Sequence, residues 1–216
     1  MVKGNIMVGQ SGGPTAVINA SLVGVYKAAQ DAGIDKIYGM QNGIEGLLQN
    51  RYVDLRAQIQ NEMDVEILKR TPAAFLGSCR YKLPDMRKEP EVYQRLFEIL
   101  ERADVRYVVY IGGNDSMDTV LKLSSYAAMV GSDIRFMGVP KTIDNDLAET
   151  DHTPGFGSAA KFVASAMKEI IRDSSVYHMD SVTIVEIMGR NAGWLTAASA
   201  LAKGEDCEGP DFIYLP

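Results

Sequence analysis

The stretch GVPKTIDNDLAET, residues 138–150, combines one cation and two carboxylates at the end of an apolar segment. Lys141, Asp144 and Asp146 lie within six residues of one another, directly after a run from Ile134 to Val139 that predicts a β-strand. In an open parallel sheet, ligands bind beyond the carboxyl ends of the strands. The stretch therefore suits a metal ion, a phosphate group or a proton that must be removed.

Two glycine-rich turns precede this stretch, and each leads into a predicted helix. GQSGGP, residues 9–14, follows the first apolar run, and GGNDS, residues 112–116, follows a later one. The exposed N–H groups and the dipole at a helix N-terminus favour bound anions. Neither turn is the G-x-G-x-x-G dinucleotide fingerprint or a phosphate loop that ends in Gly-Lys-Ser/Thr. GQSGGP also fits a plain tight turn, and Asp115 and Ser116 also fit simple helix caps.

Two further segments carry basic residues just past predicted strands. Arg80 and Lys82 belong to GSCRYK, residues 77–82, and Arg190 belongs to MGRNAGW, residues 188–194. Arg80 and Lys82 could bind phosphate oxygens, or they could be two solvated residues of a surface loop. All of these loops are expected at one edge of the sheet, so their convergence is more informative than any single motif.

The reaction that this set of residues can perform is phosphoryl transfer. That reaction needs cations and N–H donors around a phosphate, a metal ion held by carboxylates, and a carboxylate that takes the proton of the acceptor hydroxyl. PKTIDND offers the carboxylates, and the turns and basic loops offer the rest. His152 and His178 are the only histidines, so the sequence has no candidate hydrolase triad, and we expect both in loops or at the surface.

The elements that must position these residues alternate between strands and helices. Apolar runs that end in Gly or Pro predict strands at 5–9, 36–40, 74–78, 106–113, 134–140, 181–189 and from 211. Helical spacing predicts helices at about 15–32, 44–49, 89–103, 116–130, 158–173 and 194–202, with a short strand and a helix within 52–70. This alternation predicts a doubly wound, mostly parallel α/β sheet with helices on both faces, in three α/β/α layers. We expect residues 1–216 to form one such domain.

Composition limits the class of protein. The chain has 216 residues, of which 46% are hydrophobic and 23% are charged, which is typical of one sizeable core. The net charge of −6 gives no general attraction to nucleic acid or membranes, and no segment approaches the ~20 apolar residues of a membrane span. Cys79 and Cys207 have neither a disulfide-framework nor a metal-binding spacing, so we expect free thiols in the cytoplasm.

Taken in order, SGGP, GSCR, GGNDS, PKTIDND and MGR resemble the motifs of the phosphofructokinase family along essentially the whole chain. The resemblance implies the family's fold and transfer of a phosphoryl group to the 1-hydroxyl of fructose 6-phosphate, giving fructose 1,6-bisphosphate in glycolysis. It also implies Mg²⁺ as a cofactor and a homo-oligomer, either a dimer or a tetramer. Family chains carry a second α/β domain that is absent here, so we expect the sequence to be the N-terminal portion of a longer protein.

The same resemblance implies a role for each motif residue. Asp144 is the expected general base on the 1-hydroxyl, with Lys141 and Arg190 also in the catalytic set. The expected ligands of the phosphoryl donor are Gly13, Arg80, Lys82, Asp115 and Ser116. The expected substrate ligands are Thr142, Asp146, Met188, Gly189 and Arg190, and the expected Mg²⁺ ligands are Asn114 and Asp115.

Asp115 and Lys141 indicate which phosphoryl donor is used. ATP-using members of the family have GGDGS and PGTIDND, with glycine at both positions, whereas Asp and Lys resemble the pyrophosphate-dependent branch. A carboxylate at position 115 would repel the α-phosphate of a nucleotide, and Lys141 adds a charge that suits compact, highly anionic pyrophosphate. We therefore expect reversible transfer from pyrophosphate.

Two departures from the family pattern keep alternatives open. Asn114 replaces an Asp associated with the Mg²⁺ site, and Ser181 replaces an arginine that many bacterial members lend to a neighbouring subunit. These positions and the missing second domain favour a non-catalytic or regulatory relative, whereas intact TIDND and MGR oppose that interpretation. An ATP-dependent enzyme is the other alternative, which Asp115 and Lys141 disfavour.

Overall fold

A computed structural model describes residues 3–216 of the protein. This part of the chain forms two compact units. The first unit ends at Lys141, and the second spans Thr142–Pro216. The division falls inside PKTIDND, between its cation and its two carboxylates.

The first unit is built around a parallel sheet with an antiparallel edge strand. Its strands are β1 Asn5–Gln10, β2 Ile37–Met40, β3 Tyr52–Asp54, β4 Val105–Gly112 and β5 Arg135–Pro140. They are arranged in the order β3-β2-β1-β4-β5, with β2–β3 as the antiparallel pair. The carboxyl ends of β1, β4 and β5 therefore lie at the same edge of the sheet. GQSGGP, GGNDS and PKTIDND begin at that edge, as predicted.

Helices cover both faces of this sheet. They are α1 Ile18–Asp31, α2 Gly43–Leu48, α3 Leu55–Gln58, α4 Glu62–Arg70, α5 Pro90–Arg102 and α6 Asn114–Val130. One apolar cluster packs Met7 and Val108 of the sheet against α2, α5 and α6. A second cluster packs Val8 and Ile111 against α1 and α4. Because successive residues of a strand point to opposite faces, this alternation confirms the predicted three-layer α/β/α fold.

Helix α5 illustrates how the sequence pattern produces these helices. Pro90 stands at its first position, where a backbone N–H would have no partner within the helix. Tyr93, Leu96 and Leu100 recur at helical spacing and are buried on one face. Burial of each such side chain contributes roughly 1.5–3 kcal/mol, so the face that packs on the sheet is strongly specified.

The second unit has less regular structure. It contains α7 Phe156–Ser174, the short helix α8 Trp194–Ala198 and a 3₁₀ turn at Ser199–Ala202. Its cluster of buried apolar residues consists of Ala160, Leu195 and Ala198. Lys168 and Arg172 of α7 both pair with Asp206, at 2.9 and 2.6 Å. These ion pairs tie α7 to the loop that follows the 3₁₀ turn.

The strand predicted at 74–78 is wrong, because this segment is a turn. The backbone N–H of Phe75 donates to Oδ1 of Asn19 at 2.9 Å, and that of Leu76 donates to Oε1 of Gln10 at 2.9 Å. The apolar run reflects burial of Leu76 in a loop. Distant side chains replace the hydrogen-bond partners that a neighbouring strand would supply.

The strands predicted at 181–189 and from 211 are also wrong. Within residues 3–216, neither segment pairs with another strand. Val182 and Ile184 are each 90% exposed, and the residues from 211 onward are exposed as well. An apolar run becomes a strand only where a neighbour supplies backbone hydrogen bonds, and the described chain supplies none to these two segments.

The helices of residues 3–216 include none that is both long and apolar enough to cross a membrane. Cys79 and Cys207 are both free and buried. Neither thiol is therefore part of a disulfide in this part of the chain.

Candidate functional site

The glycine-rich turn after β1 is fixed from two sides by backbone hydrogen bonds. The amide of Ser11 donates to the carbonyl of Ile111 at 2.9 Å, and the amide of Gly12 donates to the carbonyl of Cys79 at 3.0 Å. Gly12 has a φ of 75°, in the left-handed region that favours glycine. The turn therefore holds the end of β1 against β4 and against the loop that carries Arg80.

Lys141 is buried beside this turn. The residue is 3% exposed, and its amide donates to the carbonyl of Gly112 at 3.0 Å. A methyl group placed on Gly12 would lie 3.1 Å from Nζ of Lys141, so the ammonium group lies next to the glycine backbone. In a low local dielectric, the attraction between an ammonium group and an anion is stronger than in water. This position therefore suits a compact anion.

Arg80 approaches Gly13 of the same turn. Its Nη2 lies 4.0 Å from the place that a Cβ would take on Gly13. Lys82, two residues further along, is exposed, and the described contacts do not join it to the turn. The structure thus brings Gly13, Arg80 and Lys141 to one turn and leaves Lys82 outside that group.

Gln10 and Asn19, which belong to none of the sequence motifs assigned to ligand binding, hold the loop of Arg80 in place. Nε2 of Gln10 donates to Oδ1 of Asn19 at 2.9 Å, and Nδ2 of Asn19 donates to the carbonyl of Thr71 at 2.9 Å. These buried amides also accept from the backbone of residues 75 and 76. Amide side chains within an apolar strand and an apolar helix are the signal that could have identified them.

Helix α6 begins at Asn114, two residues before its predicted start. Gly113 is its N-cap, so Asp115 and Ser116 lie in the first turn and do not cap the helix. Ser116 is buried, and its Oγ lies 2.5 Å from Oγ of Ser11. Asn114 and Asp115 are exposed at the positive end of the helix dipole, and both carry oxygen atoms of the kind that hard cations prefer.

Tyr110 is a buried residue of β4 that is paired with Gly9, the first residue of GQSGGP. Its hydroxyl accepts a hydrogen bond from the amide of Ile44 at 3.3 Å and lies 3.6 Å from Sγ of Cys79. Burial raises the pKa of this hydroxyl above its ordinary value of 10.0, so Tyr110 remains neutral at physiological pH. A Cβ on Gly43 would lie only 2.7 Å from the hydroxyl, which explains the glycine at that position.

In the second unit, the segment that begins at Thr142 forms a closed loop. The amide of Asp144 donates to Oγ1 of Thr142 at 3.1 Å. Oγ1 of Thr153 donates to the carbonyl of Thr142 at 2.6 Å, and the amide of Thr142 donates to the carbonyl of Pro154 at 3.2 Å. Asp146 is half-buried in the same loop. Thr142 is therefore held by both arms of the loop, and Asp144 is fixed through it.

Arg190 lies beside Asp144. Its Nε is 3.8 Å from Oδ2 of Asp144, and the arginine side chain is 67% exposed while the aspartate side chain is 17% exposed. Gly189 and Arg190 both have positive φ, 149° and 53°, so the chain turns sharply at MGR, where Met188 is exposed. The guanidinium group is thus accessible to a ligand, and the carboxylate is partly shielded from water.

A small apolar cluster brings TIDND and MGR together. Ile143 of the first motif and Ile187, directly before the second, pack against the buried residues of α7 and α8. The predictions that GSCR and MGR follow strands are wrong, since neither 74–78 nor 181–189 is a strand. Side-chain packing, and not the end of a strand, positions Arg190 beside Asp144.

A model of the phosphofructokinase family matches residues 5–216 of the chain. The chain is 45% identical over 218 residues to a pyrophosphate–fructose 6-phosphate 1-phosphotransferase of Xanthomonas campestris pv. campestris, which covers 100% of this chain and 51% of that protein. It is 37% identical over 217 residues to an ATP-dependent 6-phosphofructokinase of Glaesserella parasuis, which covers 100% of this chain and 60% of that protein. Similarity is thus higher to the pyrophosphate-dependent relative.

The same fold occurs in a crystal structure of a pyrophosphate-dependent phosphofructokinase from Nitrosospira multiformis. The two structures have a TM-score of 0.85 and 42% sequence identity, over 96% of this chain and 51% of that chain. The chain spans about half the length of the pyrophosphate-dependent relatives that it matches.

Proposed function

Because the chain belongs to the phosphofructokinase family, we propose that it takes part in transfer of a phosphoryl group from pyrophosphate to the 1-hydroxyl of fructose 6-phosphate. The products are fructose 1,6-bisphosphate and phosphate, and the reaction is reversible. The observation that carries the proposal is the burial of Lys141 beside Gly12, because a buried ammonium group favours a small, highly charged phosphoryl donor. The higher identity to a pyrophosphate-dependent relative also supports it.

Asp144 is the general base in this proposal. It takes the proton of the 1-hydroxyl while the hydroxyl oxygen attacks the transferred phosphorus. Arg190, 3.8 Å from Asp144, neutralises negative charge on the transferring phosphoryl group or on the sugar phosphate. Thr142 holds the amide of Asp144. The remaining proposed sugar ligands are Asp146, Met188 and Gly189.

The glycine-rich turns and the basic side chains of the first unit bind pyrophosphate in this proposal. Because the amides of Ser11 and Gly12 already donate to carbonyl groups, the proposed donors to phosphate oxygens are the amide of Gly13 and the amides at the start of α6. Lys141 and Arg80 supply positive charge, with Ser116 and Lys82 as further ligands. Asp115 lies in the first turn of α6, where its charge opposes the additional phosphate of a nucleotide.

The proposed reaction uses Mg²⁺, and the residues at the start of α6 fit this ion. Asn114 and Asp115 are exposed and carry hard oxygen ligands. Residues 3–216 contain no group of three or more His, Cys, Asp or Glu side chains that could hold a metal ion. Mg²⁺ commonly binds one or two carboxylates together with substrate phosphates, which is the arrangement that we propose. When bound, the ion supplies positive charge that offsets the charge of the phosphates.

The test is a parallel assay with pyrophosphate and with ATP, each with fructose 6-phosphate and Mg²⁺. The ratio kcat/KM is measured in the complete protein for wild type, Asp115→Gly, Lys141→Gly and the double variant. We expect wild type to prefer pyrophosphate, Asp115→Gly to raise ATP use, and Lys141→Gly to weaken pyrophosphate binding by ~1.5–3 kcal/mol. Since both residues act on one phosphoryl donor, their effects should be coupled and not additive.

Each possible result of this assay has a distinct meaning. A wild-type preference for ATP would favour an ATP-dependent enzyme, and an absence of activity with both phosphoryl donors would favour a non-catalytic relative. An unchanged donor ratio in Asp115→Gly would remove that residue from donor selection. Asp118→Gly, which removes another carboxylate of α6, is the matched control and should leave the ratio unchanged.

We further propose that the protein is a homo-oligomer, a dimer or a tetramer, in the cytoplasm. The buried free thiols Cys79 and Cys207 support a reducing compartment. The net charge of −6 gives no general attraction to nucleic acid or membranes, so small-molecule substrates are the proposed partners. Sedimentation of the complete protein measures the oligomeric state.

A further inference from the structure

Asn145 separates the two carboxylates of TIDND and makes the loop turn there. Its φ of 56° is in the left-handed region, which Asn tolerates better than most residues but which favours glycine. The residue is 7% exposed, so its side-chain amide needs hydrogen-bond partners. If the positive φ were the whole requirement, glycine would suit this position better. The buried side-chain amide of Asn145 therefore has a further role.

Both ends of the Asn145 amide bind the returning arm of the loop. Nδ2 donates to the carbonyl of Asp151 at 3.0 Å, and Oδ1 accepts from the amide of Thr153 at 2.8 Å. Thr153 in turn donates through Oγ1 to the carbonyl of Thr142 at 2.6 Å. A chain of hydrogen bonds thus runs from Asn145 through Thr153 to Thr142.

This chain of hydrogen bonds ends at the residue that holds Asp144. Oγ1 of Thr142 accepts from the amide of Asp144 at 3.1 Å, and the next residue after Asp144 is Asn145 itself. Asp144 therefore lies between Thr142 and Asn145, and the hydrogen bonds through Thr153 connect these two residues. We propose that Asn145 is a positioning residue that sets the direction of the Asp144 carboxylate, a role that rests on the proposed function of Asp144 as general base.

Asn145→Gly tests this role, because glycine keeps the positive φ and removes only the side-chain contacts. In the complete protein, kcat, KM for pyrophosphate and the midpoint of thermal unfolding are measured. We expect kcat to fall by about 10–100-fold while KM for pyrophosphate stays within about threefold. The reason is that a displacement of ~1 Å at a catalytic group costs on the order of 10²-fold in rate without removing ligand contacts.

Asn50→Gly is the matched control for the loss of an asparagine with positive φ. Asn50 has a φ of 59°, accepts a hydrogen bond from Arg102 through its side chain and lies in the first unit. This variant should leave kcat and KM within about twofold of wild type. Asn50 is exposed, so this variant controls for the loss of an asparagine at positive φ, and the midpoint of thermal unfolding reports any loss of stability.

A pair of variants at Thr153 tests the middle of the hydrogen-bond chain. Thr153→Val removes the hydroxyl that bonds to Thr142 and should lower kcat in the same way as Asn145→Gly. Thr153→Ser keeps the hydroxyl and should restore kcat to within about threefold of wild type. Equal kcat values for the two Thr153 variants would contradict the proposed chain of contacts.

The inference is overturned if Asn145→Gly keeps kcat within about twofold of wild type. It is also overturned if, in that variant, KM for pyrophosphate changes by more than about threefold along with kcat. If wild type has no activity with pyrophosphate, the proposed function fails, and amide hydrogen exchange then decides the inference separately. Faster exchange at Thr153 and Asp144 in Asn145→Gly, but not in Asn50→Gly, would support the positioning contact, and unchanged exchange at Asp144 would overturn it.

Discussion

The two units of the chain are ordered by different forces. In the first unit, which ends at Lys141, two large apolar clusters pack on opposite faces of a paired sheet. In the second unit, Thr142–Pro216, the buried apolar cluster has three residues, and hydrogen bonds and ion pairs hold the loops. The first unit therefore carries its glycine-rich turns on a packed framework, whereas the order of the second unit depends on contacts within its loops.

This difference matches the division of chemical tasks in the proposed function. The first unit offers backbone N–H groups and the buried cation Lys141, which suit binding of an anion. The second unit offers the Asp144 carboxylate and the exposed guanidinium of Arg190, which suit proton transfer and charge neutralisation. We therefore expect substitutions in the first unit to act mainly on stability and phosphoryl-donor binding, and those in the second mainly on turnover.

The largest effect is expected from Asp144→Asn in the second unit. The amide keeps the size of the side chain and cannot accept the hydroxyl proton, so kcat of the complete protein should fall by ~10²–10⁴-fold while the fold is retained. Steady-state kinetics and circular dichroism measure the two properties. Asp173→Asn, at an exposed carboxylate on α7, is the control. Turnover of Asp144→Asn within about threefold of wild type would remove Asp144 from the role of base.

The next largest effect is expected on the free energy of unfolding, where an isoleucine of the first unit is compared with one of the second. Ile37 of β2 is 0% exposed, whereas Ile184 is 90% exposed. Ile37→Ala should lower the free energy of unfolding by about 2–5 kcal/mol because it leaves a cavity in a packed core, and Ile184→Ala should change it by less than about 0.5 kcal/mol. Urea unfolding of residues 1–216, at concentrations below those at which the chain self-associates, measures both variants. Equal losses would show that segment 181–189 is packed in solution.

A smaller effect is expected on association of the chain. Val182 and Ile184 lie in an unpaired apolar segment, which is typical of a surface that associates. Residues 1–216 should self-associate, and Ile184→Lys should weaken association by about tenfold, since burial of one such side chain is worth roughly 1.5–3 kcal/mol. Sedimentation velocity over a range of concentrations measures this. Leu121→Lys, at an exposed residue of α6, should have no such effect, and a monomeric wild type would contradict the prediction.

The smallest effect concerns the ion pairs that tie α7 to the loop after the 3₁₀ turn. The hydrogen bond from Lys168 lowers the pKa of Asp206 below its ordinary value of 3.8, with Arg172 contributing in the same direction. Because the folded pKa lies below the unfolded one, the pairs stabilise the fold above the unfolded pKa, and this stability is lost as pH falls through the folded pKa. Asp206→Asn should lower the midpoint of thermal unfolding slightly at neutral pH and reduce its fall in acid.

The measurement for this last prediction is thermal unfolding from neutral to acidic pH. Asp206 is exposed, so solvent screening keeps the expected shift small. Asp211→Asn, which changes another exposed carboxylate of the second unit, is the control. Identical acid dependence in wild type and Asp206→Asn would show that the two ion pairs add no stability in solution.

Local sequence patterns determined most of the first unit. Each predicted strand that became β1, β2, β4 or β5 is an apolar run between turn residues, and α5 follows from the spacing of its buried side chains. The positions of GQSGGP, GGNDS and PKTIDND at one edge followed from the same patterns, because parallel strands place their carboxyl ends together. These features depend on residues close in sequence, so the sequence was sufficient to predict them.

Tertiary structure alone decided the features that depend on distant partners. The run at 74–78 became a turn because the side chains of Gln10 and Asn19 bind its backbone, and segment 181–189 remained unpaired because the described chain offers it no neighbouring strand. Burial of Lys141 against Gly12, and the chain of contacts from Asn145 to Thr142, also became visible only in three dimensions. The physical reason is that an apolar pattern reports only a tendency of residues to be buried, whereas a hydrogen bond requires a particular partner whose position only the folded chain determines.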